Sequence, residues 1–355
     1  MMPPKPSPLP VPDQNANIST IELLRGLAAT LVCFYHFTHG NNTFISDENW
    51  VKHLFSKGWL GVEIFFVISG FIIPYSMARS RYEWRNYPYF ILKRWVRIDP
   101  PYLLSIIFVL LLNAAAALWL VKSPAFELRQ VLLHVGYLLP FFPPLEWLNG
   151  VYWTLAIEFQ YYLLIGLLFP LLYHQQRIYF WLVTMGLLSI AWLTSNPAMF
   201  FDFSMYFVLG FALFRRIEKQ MGTVEFLIFS AIAFYVIEYK FSLQFMYAGM
   251  FPWFLIAFFP SLHAKALRWL GMISYSLYLI HLPLGKKLIP LIARYVEGDW
   301  PRLGMLVLLF CFTLALAYGF YYLIERPAMR WSKFFKYGGK SKSTAESNQL
   351  PPKVL

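Results

Sequence analysis

The chain has 355 residues, of which 59% are hydrophobic, 20% aromatic and only 14% charged. A soluble protein of this length needs more polar surface, so the composition excludes a soluble globular domain and points to a polytopic membrane protein. The formal net charge of +12 does not indicate nucleic acid, because the basic residues flank apolar stretches and form no stripe on a soluble domain.

In chain order, residues 1–18 are Pro-rich, lack the apolar core of a signal peptide and read as a disordered tail. Apolar windows follow near 20–38, 58–77, 101–121, 151–173, 178–195, 201–214, 223–240, 243–260, 272–291 and 303–324. By length they predict an all-α bundle of about ten transmembrane helices within a single domain, 19–335. Gln130 to Pro143 is apolar but brief and ends at Pro143-Pro144, which predicts a re-entrant or interfacial helix. Residues 336–355 are polar and read as a second disordered tail.

Orientation follows from the basic connections. Arg79, Arg81, Arg85, Lys93, Arg94 and Arg97 oppose one acid, Glu83, after the second window. Arg215, Arg216, Lys219, Lys265, Arg268 and the tail from Arg326 fall on the same side, so both termini are expected in the cytoplasm. Cys33 and Cys311 lie inside apolar windows and read as small buried hydrophobes.

The first window, from Ser19 to Thr38, holds two side chains foreign to lipid. Arg25 and His36 are eleven residues apart, which leaves a net rotation of ~20° and an axial separation of ~16 Å, so one helix face carries both. Ser19 and Glu22 have capping-box spacing at its start. Ionisable groups in a span normally face the bundle interior and are functional suspects. Glu63 in the second window is expected to enter from outside at a depth comparable with His36, and Glu158 in the fourth to follow about two turns in; either carboxylate could orient the imidazole. Lys93, Arg94 and Arg97 precede Pro100-Pro101 at the predicted start of the third span, a compact basic group suited to phosphates, with Arg25 and Glu325 at similar depth.

Plainer readings stand beside these. Arg25, paired with Glu22, can anchor a helix end; Arg94 and Arg97 can be topogenic charges; Ser69-Gly70 can mark a close helix crossing. His281 can hydrogen-bond Tyr275 or Tyr278, and Trp59, Trp147 and Trp153 can belong to an aromatic belt. His39, His53, His134, His174 and His263 lack metal-ligand spacing, and no metal is expected.

With these residues in view, the chain resembles acyltransferase family 3, multi-pass bacterial membrane acyltransferases that O-acylate glycans and other extracytoplasmic acceptors. The resemblance rests on Arg25-x10-His36, Gly61 to Phe71, Arg94-x-x-Arg97-Ile98-x-Pro100, Trp153-Thr154-Leu155-x-x-Glu158, Ser274 to His281 and Glu325-Arg326-Pro327. It departs from the family pattern at Glu63, where Asp is frequent, and Thr154, where Ser is frequent. What the resemblance implies is a cytoplasmic acyl-CoA donor, an acyl group, often acetyl, passed across the bacterial inner membrane, and a glycan or lipid-linked glycan acceptor. It implies no bound cofactor and no nucleic acid; membrane lipids are partners and a homo-oligomer is open. His36, Arg25, Glu63 and Glu158 become the catalytic candidates; Arg94, Arg97, Ser69, Trp153, His281 and Glu325 become the substrate-binding ones. Many relatives carry a C-terminal hydrolase-like domain that this chain is too short to hold, so transfer is expected to finish in the membrane domain or on another protein. A transporter or flippase for a lipid-linked glycan or a proton-coupled solute is the alternative, with His36, Glu63 and Glu158 as a relay; a membrane scaffold for polysaccharide assembly is a third.

Overall fold

The computed structural model describes residues 19–41, 44–119, 127–142 and 145–335. The two expected tails and the Pro143-Pro144 break lie outside them. The described residues are helical throughout, with no strand. The helices are α1 (Ser19–His39), α2 (Trp50–Phe55), α3 (Gly61–Arg79), α4 (Tyr87–Trp119), α5 (Leu128–Val135), α6 (Tyr152–Leu172) and α7 (Arg177–Leu193). They continue with α8 (Ser204–Ile217), α9 (Thr223–Lys240), α10 (Leu243–Phe258), α11 (Lys265–Met272), α12 (Ser274–Ile292), α13 (Asp299–Phe320) and α14 (Arg326–Ser332).

A helix stands at each apolar window. Four helical stretches, Trp50–Arg79, Trp84–Leu118, Tyr152–Leu172 and Asp299–Ser332, are long and apolar enough to cross a membrane, and Arg177–Leu193 and Leu243–Phe258 are shorter apolar helices. These helices mark a membrane protein. α5, with eight residues, rises only about 12 Å at 1.5 Å per residue, too little to cross a bilayer core. His134 ties this segment to the chain that follows: its Nδ1 lies 2.8 Å from the Gln130 carbonyl oxygen, and the Leu148 backbone N–H donates to its Nε2 at 3.1 Å.

Two sequence expectations change at helix ends. The capping box does not form, since the Ser19 hydroxyl is buried without a hydrogen-bond partner and Glu22 pairs with Arg268 at 2.9 Å. Thr20 holds the start of α1 instead, donating from its hydroxyl to the Phe259 carbonyl and accepting from the Leu262 N–H. The third predicted span does not start at Pro100-Pro101: α4 begins at Tyr87 and runs through both prolines. Just before the prolines the Tyr275 hydroxyl of α12 donates to the Ile98 carbonyl at 3.0 Å. Lys93, Arg94 and Arg97 are therefore helical residues and do not form a connection. Cys311 also departs from expectation, being exposed on α13, while Cys33 is buried.

Packing is close where α3 meets α8. A Cβ on Gly70 would stand 2.2 Å from the Phe207 carbonyl oxygen, and one on Gly210 2.2 Å from that of Val67. The Gly70 crossing is thus real, and only hydrogen side chains permit it. Gly70→Ala is expected to destabilise the bundle by about 1–3 kcal/mol through overpacking, read as a lower melting temperature in detergent; an unchanged melting temperature would contradict the contact. Farther along the bundle, the Lys240 ammonium donates to the Ala191 and Thr194 carbonyls at 2.5 Å each and to Asp202 at 3.1 Å. This buried pair caps the C-terminal carbonyls of α7 and ties α7, α9 and the approach to α8 together.

Candidate functional site

The site is built along two parallel helices. Arg25 and His36 lie on α1 eleven residues apart, and Ser274 and His281 lie on α12 seven apart in the same sense. At one level the Arg25 Nε donates to the Ser274 hydroxyl at 3.3 Å, and Ser274 donates to the Gly271 carbonyl at 2.8 Å. At the other level the rings of His36 and His281 lie 5.4 Å apart, centre to centre. Both contacts can hold only if α1 and α12 point the same way.

Around the Arg25 level is a cavity of about 410 Å³ bordered by Arg25, Arg94, Arg97, Glu158, Tyr162 and Glu325. Arg94 and Arg97 reach it from one face of α4 because i and i+3 positions are neighbours on a helix. Arg94 is buried, its Nε has no partner, and its guanidinium rests near the rings of Phe90 and Tyr162 at 5.5 and 5.8 Å. Among the described residues none of the three arginines forms an ion pair. Glu325 closes a single π-turn, Tyr321–Glu325, between α13 and α14, and accepts the Ser276 hydroxyl at 2.5 Å. Glu158 accepts from the hydroxyls of Ser69 and Tyr162 at 2.9 and 2.6 Å. Both carboxylates accept from hydroxyl donors and make no direct ion pair with the guanidinium groups, so three cations face two carboxylates across one cavity.

A second, smaller cavity of about 100 Å³ shares Arg25, Ile72, Glu158 and Tyr275 with the first. It is mostly apolar, bordered by Val62, Phe65, Phe66 and Leu155, and it extends to Thr154 and Tyr278. The Tyr278 ring lies 5.8 Å from that of His281, so the cavity ends one contact short of the histidine pair. Tyr278 and Thr154 fix each other through a 2.9 Å hydroxyl contact. A continuous passage thus leads from three guanidinium groups toward an imidazole.

Glu63 does not share the depth of His36. A Cβ on Gly61 would stand 2.7 Å from the Ala28 carbonyl oxygen, and one on Gly58 2.4 Å from that of Leu31, so α3 runs antiparallel to α1. Gly61 therefore meets α1 eight residues before His36, about 12 Å along the axis, and Glu63 lies deeper still. Its carboxylate is buried, its Oε2 has no partner, and it lies near Tyr206 and Tyr278. Neither Glu63 nor Glu158 is hydrogen-bonded to His36 among the described residues. Trp153, taken for a belt residue or a substrate contact, packs on Phe203 at 5.5 Å. His281 bonds neither the Tyr275 nor the Tyr278 hydroxyl; its Nδ1 lies 3.0 Å from the Leu277 carbonyl and its Nε2 is unpartnered. Residues that sequence reading left out are Ser274, Tyr162, Tyr275 and Tyr278. The seven-residue spacing of Ser274 and His281, which like the eleven of Arg25 and His36 returns to one helix face, was the available signal for the first. Among the described residues no group of three His, Cys, Asp or Glu side chains has metal-binding geometry.

A family model described as an acyltransferase domain matches residues 18–322. The chain belongs to this acyltransferase family. The peptidoglycan O-acetyltransferase OatA of Listeria monocytogenes is 25% identical over 381 aligned positions, covering 90% of this chain and 57% of that protein. A protein of Komagataeibacter xylinus described as a membrane-bound transacylase, BcsY, is 26% identical and matches 74% of this chain and 72% of its own length. The chain thus spans little more than half of the Listeria protein. No solved structure matches it.

Proposed function

We propose that this family member is a membrane O-acyltransferase that takes an acyl group, acetyl in the simplest case, from cytoplasmic acyl-CoA to a hydroxyl of an extracytoplasmic glycan or lipid-linked glycan. The observation that supports this reading is a pair of adjoining cavities, sharing Arg25 and Glu158, that run from three guanidinium groups to within one ring contact of His281. Arginines lacking a carboxylate partner are a preformed site for phosphates, which their fork geometry matches. On this reading the phosphates of the donor sit near Arg94 and Arg97, and the pantetheine arm passes Arg25 into the apolar second cavity. The neutral imidazole of His36 takes the proton of the acceptor hydroxyl as its oxygen attacks the thioester carbonyl. The C–S bond breaks, and the thiolate leaves with that proton as free CoA. A route in which His36 first takes the acyl group is distinguished by trapping an acyl-enzyme without acceptor.

In this proposal residues 19–335 form one domain in the bacterial cytoplasmic membrane, crossed by α1, α3, α4, α6 to α10, α12 and α13, with both ends in the cytoplasm. The parallel run of α1 and α12 supports it, since seven crossings, an odd number, lie between them in that count. The OatA likeness favours acetyl and a cell-wall glycan among acceptors. The test is the ester-linked acyl content of cell-surface and lipid-linked glycans in a strain lacking the protein, with and without the intact chain restored. Restoration of an ester supports transfer and names the glycan; no ester difference in any glycan fraction would overturn the reading.

A further inference from the structure

The far half of α12 carries cations that the donor passage does not use. From Ser274 to Ile292 the helix contains Lys286 and Lys287 and no acid, and Arg294 follows two residues later. Among the described residues none of the three forms an ion pair, and Glu146, exposed four residues before Gly150, pairs with none of them.

Geometry brings one of these cations to the histidine pair. A Cβ on Gly285 would touch the Phe37 ring at 3.0 Å, so this turn of α12 abuts α1 at the residue after His36. The next residue, Lys286, is exposed, and its Nζ lies 4.0 Å from the position of a Cβ on Gly150, at the approach to α6. It is also the charged side chain whose field reaches the His36 ring. Beside it, His281 is fully buried and keeps Nε2 without a partner. A lysine that only snorkels to the membrane surface extends toward headgroups, whereas the Lys286 ammonium lies beside the approach to α6.

A bare cation at this place works against a general base. Proton transfer turns the imidazole into an imidazolium, and a like charge nearby raises the free energy of that state. An anion on the incoming acceptor cancels the repulsion at the moment the proton moves, so the pairing favours the transition state more than the free enzyme.

We infer that Lys286 forms an anion subsite beside His36, and that the acceptor is an anionic saccharide carrying a carboxylate or phosphate near the hydroxyl to be acylated. This inference rests on the acyl-transfer reading and adds the chemical class of the acceptor to it.

The experiment uses the full chain in phosphatidylcholine nanodiscs and follows carbethoxylation of His36 by diethyl pyrocarbonate with peptide mass spectrometry, adding glucuronate or glucose. Glucuronate is expected to slow modification about two- to fivefold, the range of an exposed ion pair, with glucose inert. Lys286→Gln is expected to abolish that protection and Lys287→Gln to retain it. Equal slowing by both sugars, slowing by neither, or unaltered protection in Lys286→Gln overturns the inference. A lipid source of the anion is separated by discs containing phosphatidylglycerol: if these alone slow modification through Lys286 and glucuronate adds nothing, the lysine is a headgroup anchor and the inference falls. Acetyl-CoA binding to the same discs, measured by calorimetry, keeps the two readings apart. Binding without glucuronate protection removes the anion subsite and leaves the donor site, while absent binding removes the donor reading itself.

Discussion

Replacing His36 by alanine is expected to lower acyl transfer from acetyl-CoA by about 10²- to 10⁴-fold, the usual contribution of a positioned general base. Binding of CoA is expected to change little, because the guanidinium groups that line the larger cavity lie at the Arg25 level, ~16 Å along α1 from His36. The pair of measurements is therefore a turnover assay and a calorimetric CoA titration on the same preparation. Loss of turnover with binding preserved places His36 at the chemistry. A rate within tenfold of the parent would remove it from the role of base, and loss of both would mean that the substitution disturbs the packing of α1 on α12. His281→Gln offers a contrast: its Nδ1 contact is made within α12 to Leu277, so an amide can keep that bond while removing the ring next to His36.

Replacing Arg94 or Arg97 by glutamine is expected to weaken CoA binding by roughly 10- to 150-fold each, since hydrogen bonds to charged groups contribute about 1.5–3 kcal/mol. The unliganded protein is expected to melt at the same temperature or higher. Three guanidinium groups share one cavity without a direct ion-pair partner, so removing one relieves repulsion among them, offset in part, for Arg97, by its lost attraction for the buried Glu325. Opposite movements of affinity and stability are the signature of a site held ready for an anion. Topogenic charges would instead show unchanged affinity, with any effect confined to insertion. A flat CoA titration in both variants would therefore return Arg94 and Arg97 to that plainer role.

Much of the helix inventory was legible because hydropathy is local: each apolar window carries its signal in some twenty consecutive residues. Family motifs likewise survive as short strings. Where the reading failed, the deciding groups were far apart in sequence. Ser19 and Glu22 have capping-box spacing, yet Arg268 draws Glu22 away and Thr20 bonds to residues 259 and 262. Pro100-Pro101 reads as a helix start, yet α4 runs through it beside α12, whose Tyr275 donates to Ile98. Cys311 lies in an apolar window that says nothing about which face of α13 turns outward.

The sequence by itself determined that this is a helical membrane protein of the acyltransferase family and that Arg25 and His36 share a face of the first helix. Those properties depend on composition, on motif strings and on the 3.6-residue turn, all of which act over short stretches of chain. Tertiary structure decided which groups meet. Close glycine contacts of α3 on α1 set a depth that takes Glu63 away from His36, and the parallel packing of α12 on α1 brings His281 and Lys286 there instead. Ser69 and Tyr162 take up Glu158, leaving the arginine-lined cavity positive. Depth and partnership depend on how far one helix slides along another, and that displacement is fixed by the closest approach of two backbones, which no single stretch of sequence contains.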